Sequence, residues 1–274
     1  MLGIGLLFAR RQKNTEDFFL AGRKMPWLVV GMSMYASLTS AVTFMALPGT
    51  AYRENIAFLV VGLASVAVAP VLVALFYPFY HRLRVTTSYE YIARRFGPRA
   101  RSAAAGLFIL SRLGWLGLVI YAPSLALSVV SGIPLSACLL AMGGLATLYT
   151  VLGGLAADIW TDVVQFVLML GGVAWLIVAL AGRAPGGLAG ILDFARAQGH
   201  LRLADGHLSL TAMSGWIVGL GYFFQLMQDY GTDQTTVQRM LAIPTSRGVA
   251  RALFFNAAVD VVVIGALLFI GLGL

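Results

Sequence analysis

Charge is what this sequence lacks. Only 11% of its 274 residues are Asp, Glu, Lys or Arg, less than half the share of about 25% in an ordinary soluble domain, so an aqueous surface cannot be dressed. A single cysteine, Cys138, set inside an apolar run, excludes a disulfide framework and a cysteine-rich metal site. The three histidines, His81, His200 and His207, fall at edges or in loops without the HExxH spacing of a metallohydrolase. No nucleophile is spaced with a base, and nothing in the chain reads as an enzyme. Acids are scarcer than bases, 11 against 19. The resulting excess of +8 does not read as a nucleic-acid surface, because the bases are confined to short connections between apolar runs. The segment Met1–Ala9 is apolar without a preceding basic stretch, and Arg10, Arg11 and Lys13 follow it. It reads as the tail of a spanning helix rather than a cleavable leader.

What is present in abundance is hydrocarbon: 59% of the residues are hydrophobic. Apolar runs of about 20 residues cross ~30 Å of bilayer at 1.5 Å per residue. Hydropathy predicts seven spans, over 26–50, 56–80, 103–130, 134–153, 160–181, 211–241 and 250–274. The expectation is an all-α, multi-pass integral membrane protein forming one domain. The long connection 182–210 holds two Gly/Pro clusters around an amphipathic stretch and is expected to lie at the membrane surface. Basic residues fix the orientation: alternate connections on one side hold 14 of them, and the other side holds four. The richer side is cytoplasmic. With this topology both chain ends read as cut within the membrane.

Two spans break the pattern of a regular helix. In span one, Ala36-Ser37-Leu38-Thr39-Ser40-Ala41-Val42-Thr43 precedes Leu47-Pro48-Gly49, so hydroxyls and a helix breaker share one apolar segment. In span six, Gln225, Gln228, Asp229, Gly231, Thr232, Asp233, Gln234 and Gln238 crowd the cytoplasmic half before Arg239. Irregular backbone at membrane depth survives only when buried in protein or lining a cavity. Freed carbonyls and hydroxyls are hard ligands for an alkali cation, and half-helix N-termini suit an anion. Two plainer readings stand beside this one. Single hydroxyls also back-bond to their own helix, and the stretch from Asp233 to Arg239 also fits a helix end emerging into the cytoplasm.

Three charges inside apolar runs need partners or water. Asp162, just inside span five after Gly153-Gly154, reads as part of a cation path. Its neighbour Asp158 reads as a charge placed to suit the helix dipole. Arg112 in span three reads either as snorkelling to the cytoplasmic face or as paired with an acid such as Asp162. Asp260 in span seven has no readable role. Thr87-Ser88-Tyr89-Glu90 predicts a capping box opening a short connector helix that ends at Phe96-Gly97-Pro98.

Together these residues resemble the sodium/solute symporters, the family of sodium-coupled sugar, proline, pantothenate, iodide, multivitamin and monocarboxylate transporters. The resemblance rests on Asp17-Phe18-Phe19-Leu20-Ala21-Gly22-Arg23, on Thr87-Ser88-Tyr89-Glu90-Tyr91 with Arg95-Phe96-Gly97, on Gly153-Gly154 with Trp160-Thr161-Asp162-Val163, and on Thr232-Asp233-Gln234 with Val237-Gln238-Arg239. It covers almost the whole chain. It implies the leucine-transporter-like inverted-repeat fold, truncated here: residues 1–9 as remnant of a preceding span, 26–181 as the first five-helix repeat, 182–210 as an external connector, and 211–274 as the first two helices of the second repeat. The implied sodium site takes backbone carbonyls of Ala36 and Thr39, with Asp162 near the ion's path, and hydroxyls from an eighth core helix. The implied solute-binding set is Ser37, Ser40, Thr43, Gln225, Gln228, Asp229 and Tyr230. Leu226 and Asp229 stand where sugar-transporting members carry a gate, which argues against sugar. Ser40-Ala41-Val42-Thr43 and Tyr121-Ala122-Pro123 lie closer to the iodide, multivitamin and monocarboxylate branch.

The sequence therefore predicts sodium-coupled symport of a small solute, leaning toward an organic anion, by alternating access in the plasma (inner) membrane. Sodium is the coupling ion and no organic cofactor is expected. The bilayer, sodium and a small-molecule solute are the expected partners. Residues 1–274 alone are expected to be inactive, and the alternative function is a transporter-like sensing region of a larger signalling protein.

Overall fold

The computed structural model describes residues 14–83, 85–203 and 215–274, together with Gly3 and Phe8. Most of the expected 1–9 remnant and the end of the 182–210 connector lie outside those residues. All regular structure among the described residues is helical: α1 Thr15–Leu20, α2 Trp27–Leu38, α3 Ala41–Arg53, α4 Leu59–Val71, α5 Tyr77–Leu83, α6 Ser88–Phe96, α7 Pro98–Ser131, α8 Leu135–Arg183, α9 Gly187–Ala197, α10 Gly215–Gly231, α11 Gln234–Leu241 and α12 Ser246–Leu272.

Four described helical stretches are long and apolar enough to cross a bilayer: Leu59–Tyr80, Pro98–Ser131, Leu135–Arg183 and Ser246–Leu272. A fifth span is the pair Trp27–Leu38 and Val42–Arg53, bent by 65°. The 49-residue α8 would measure about 74 Å if straight, more than twice the hydrocarbon core. Its interruption is Gly154, at φ 59° and ψ −163°, a conformation essentially restricted to glycine. The predicted spans 134–153 and 160–181 are thus joined by one residue rather than a loop. The sixth predicted span is also interrupted, between the 17 residues of α10 and the eight of α11.

Local chemistry sets the remaining boundaries. Pro98 opens α7 at the first helical position, where its missing N–H costs nothing. Gly132 ends it at φ 73°, the left-handed stop that a Cβ disfavours. Thr87 caps α6, its Oγ1 accepting the Glu90 N–H at 3.2 Å. The Glu90 side chain reaches one residue further back than in the predicted box and accepts the Thr86 N–H at 2.8 Å. That backbone bond, with Arg94 and Arg101 nearby, holds the Glu90 carboxyl below the ordinary carboxylate range. In the second span, Pro70 sits inside α4, and a π-helical turn at Leu72–Phe76 follows it before α5. Such a turn shifts the register of everything after it.

Helix α12 is the central post. Its Val263, Ile264, Leu267 and Leu268 are buried with Leu47 and Ala51 of α3 and Tyr35 of α2. Its Val249, Ala252, Leu253 and Ala257 are buried with Met34 of α2, Val68 of α4 and Tyr230 of α10. By contrast α7 shows Leu107, Ile109, Leu110, Leu113 and Trp115 on its surface. An apolar exterior of that extent fits hydrocarbon as the solvent. The chain is an integral, multi-pass membrane protein.

Candidate functional site: two broken helices and a buried ion-pair network

Helix α2 ends at Leu38, and its last hydrogen bond runs from the Thr39 N–H to the Tyr35 carbonyl at 2.9 Å. The carbonyls from Ala36 onward belong to the terminal set that a helix cannot satisfy internally. Helix α3 restarts at once, with Ser40 as its cap accepting the Thr43 N–H on both its carbonyl, at 3.0 Å, and its Oγ, at 3.4 Å. The break therefore falls at residues 39 and 40. This corrects the expectation that Pro48 contributes to it: Pro48 lies inside α3, because the capping hydroxyl eight residues earlier already supplies the restart.

The second break is built around Asp233. Thr232 and Asp233 both donate their N–H groups to the Gln228 carbonyl at 3.0 Å, which closes α10. Asp233 then takes extended backbone, and its Oδ1 accepts the Thr235 N–H at 2.9 Å to cap α11. Its Oδ2 meets the guanidinium of Arg112 on α7. Tyr77, placed just after the π turn, donates its hydroxyl to the Tyr230 carbonyl in the last turn of α10. Gly231 permits this approach, since a Cβ there would come within 3.1 Å of Phe76 and Leu72. Leu38, next to the first break, and Leu226, Met227 and Tyr230, before the second, pack into one large apolar cluster that also takes in α4 and α12.

Beside the first break lies a buried charge network. Asp162, 6% exposed, accepts the Ser33 hydroxyl at 2.7 Å and the Ser37 hydroxyl at 3.0 Å. Arg239 of α11, 5% exposed, donates to Asp162 at 3.0 Å, to Asp158 at 2.5 Å and to the Ser33 hydroxyl at 2.9 Å. Ser33 therefore relays between guanidinium and carboxylate. The network ties α11 to both α2 and the second half of α8. Two carboxylates facing one guanidinium leave one net negative charge, held next to the free carbonyls that end α2. An uncompensated charge in that setting is a strong attractor for a cation.

The other expected site residues separate into two groups. Ser40 and Thr43 lie at the cap of α3, their hydroxyls 3.5 Å apart, and Ala36 is buried one residue from Ser37. On α10, Gln225 donates to Gln228 at 3.3 Å and to Asp229 at 3.2 Å. Among the described residues no hydrogen bond joins those side chains to Ser37, Ser40 or Thr43. Tyr230 is buried, its hydroxyl aimed at Asn256 of α12 at 3.5 Å.

Two sequence readings are sharpened. Arg112 pairs with an acid, as one of its two readings expected, and that acid is Asp233 rather than Asp162, which pairs with Arg239. Asp158 has a specific partner in Arg239 besides its place near a helix start. Sequence reasoning passed over Ser33 and gave Arg239 no role beyond its place in a motif. A faint signal existed, because Ser33/Ser37 and Asp158/Asp162 are each spaced by four and so share a helix face. A cavity of 1210 Å³ bordered by Glu16, Arg23, Thr87, Glu90 and Arg101 lies away from both breaks, and its mixed charges do not single out a ligand.

A profile of the sodium:solute symporter family matches residues 18–274. The sodium-coupled monocarboxylate transporter 2 of Homo sapiens is 35% identical over 259 residues, covering 93% of this chain and 42% of that protein. The human sodium/iodide cotransporter is also 35% identical, over 93% of this chain and 40% of its own length. The sodium/sialic acid symporter SiaT of Proteus mirabilis (strain HI4320) is 29% identical, over 98% of this chain and 56% of its own. A solved Na+-coupled sialic acid symporter, in a substrate-bound outward-open state, superposes with a TM-score of 0.94 at 28% identity over 99% of this chain and 58% of that one. The chain thus spans about two fifths to three fifths of the length of these relatives.

Proposed function

Because the chain belongs to the sodium:solute symporter family, we propose that it forms part of a sodium-coupled symporter for a small organic anion that works by alternating access in the plasma (inner) membrane. The carrying observation is the buried Asp158–Asp162–Arg239 network beside the unsatisfied carbonyls of α2. In this reading sodium takes the carbonyls of Ala36 and Thr39, and Asp162 supplies the field that draws it in. Oxygen ligands and a low water content suit that ion.

The solute lies in this reading between the two breaks, among Ser37, Ser40, Thr43, Gln225, Gln228, Asp229 and Tyr230. Monocarboxylate, iodide and sialic acid, the solutes in the names of the relatives, share a negative charge. That common property supports an anion, and the N-terminus of α3 with its Ser40 cap offers it N–H donors. The ties from α11 to α8 through Arg239 and to α7 through Asp233 and Arg112 act as the cytoplasmic gate. They hold the half-helix against its neighbours while the opposite side is open, and must part for release. The repeat boundaries 26–181 and 211–274 belong to the same proposal, as does the inactivity of residues 1–274 alone.

Uptake by proteoliposomes carrying the full-length transporter tests this reading. Accumulation is expected only with an inward sodium gradient, and small carboxylates are expected to compete where neutral sugars do not. Uptake indifferent to sodium, or competition confined to neutral solutes, overturns it.

A further inference from the structure

A second acid lies at membrane depth with no role in the network above. Asp260 is the fifteenth residue of α12, about 21 Å along the helix from its start and so near the bilayer midplane. Among the described residues no lysine or arginine forms an ion pair with it. It borders a void of about 10 Å³ between α4, α10 and α12, together with Ser65, Tyr230 and Asn256. The rest of the lining is apolar: Val68, Ala69, Leu72, Leu253 and Ala257.

The polar groups at this void are unbalanced toward acceptors. Asn256, 1% exposed, donates from its amide nitrogen to the Gly31 and Ala252 carbonyls, each at 2.9 Å. Its Oδ1 is left toward the void, with the Tyr230 hydroxyl at 3.5 Å, beyond the ordinary O–H···O range of roughly 2.5–3.0 Å. Ser65 donates its hydroxyl hydrogen to the Gly62 carbonyl at 2.8 Å, which leaves its lone pairs available, and it lines the void together with Asp260. Oxygens from three helices thus face one small space with one carboxylate and no basic group. A carboxyl in such surroundings is neutralised by a proton or by a bound cation. One carboxylate and few oxygens suit a monovalent ion and fall short of the ligand set of a divalent one.

We propose that Asp260, Ser65, Asn256 and Tyr230 form a second sodium site, separate from the one at Asp162 and the first break. The choice of sodium, over a proton or another monovalent cation, rests on the sodium-coupled reading above. Asn256 also holds the Gly31 carbonyl of α2, two residues before Ser33. An ion at Asp260 therefore tightens the same helix that presents Ser33 and Ser37 to Asp162, and the two sites fill cooperatively.

The test is infrared difference spectroscopy of the full polypeptide in lipid nanodiscs, comparing sodium with N-methylglucamine. In wild type and in Asp162→Asn, sodium is expected to change the carboxyl bands, and that change is lost in Asp162→Asn/Asp260→Asn. Ser65→Ala in the Asp162→Asn background is expected to raise the sodium midpoint several-fold, which keeps the test decisive if the double variant does not fold. A sodium response that survives in wild type but vanishes in Asp162→Asn overturns the second site alone, as does an unchanged midpoint in Ser65→Ala. Bands that follow pH and ignore sodium overturn it in favour of a protonated Asp260. A wild type with no sodium response at all overturns the sodium-coupled reading itself.

Discussion

Arg239 is tolerated inside the protein because each face of its guanidinium meets an oxygen: two carboxylates, a serine hydroxyl and the Thr235 carbonyl. Its planar fork allows this division, which a lysine ammonium cannot reproduce. Removing it leaves Asp158 and Asp162 facing each other in a buried site, a loss that costs about 3–5 kcal/mol for comparable pairs. Arg239→Ala is therefore expected to lower the unfolding free energy of the full chain by about that amount, read from its denaturation curve, and Arg239→Lys to recover only part. A variant as stable as wild type would contradict the network. Asp162 was legible in the sequence because an acid in an apolar run has to be explained. Its partner was not, since Arg239 lies 77 residues away on a half-helix whose rotation only packing decides. The same holds for Arg112: its need for an acid could be read, but its partner Asp233 lies 121 residues away, brought near by packing.

Among the elements, the breaks were the most legible feature, since runs of hydroxyls and amides stand out against an apolar background. Their positions were less so. The sequence placed the hydroxyl run and Pro48 in one segment without locating the break, whereas the helix restarts on the Ser40 cap and carries the proline within it. The one-residue junction inside α8 was visible only as a glycine pair. Gly154→Ala places a Cβ at a conformation glycine alone adopts freely and is expected to cost about 1–3 kcal/mol. Thermal unfolding of the full chain checks it, and no change would mean that the junction is helical. The connector α6 was read well because capping is a local matter. Its pH response follows from Glu90. A carboxyl held below its ordinary value contributes stability that is complete above the unfolded value and fades as pH falls through the folded one. Protection of the Thr86 amide, taken relative to its intrinsic exchange rate, is therefore expected to fall as pH drops through the Glu90 titration, and Glu90→Ala to remove that pH-dependent protection. Protection that is insensitive to acid would contradict the Glu90–Thr86 bond.

For the whole molecule, composition pointed to the bilayer, because the shortage of charge leaves no other solvent for so much apolar surface, and the length of the apolar runs pointed to an all-helical fold. What composition could not give is which helices meet. The central position of α12, the packing of both broken helices into one apolar cluster and the bridging of α2, α8 and α11 by a single arginine all arise from packing between residues far apart in sequence. Those contacts turn polar interruptions into a site with a net charge. The account rests on that charge drawing sodium to the end of α2. A ligand that binds only the folded state raises its melting temperature with concentration, so a sodium titration of the thermal stability of the full chain, with choline as the control salt, measures the claim most directly. Sodium is predicted to raise the melting temperature where choline does not, and Asp162→Asn to shift the sodium midpoint upward several-fold. Coincident sodium curves for wild type and Asp162→Asn would contradict the account.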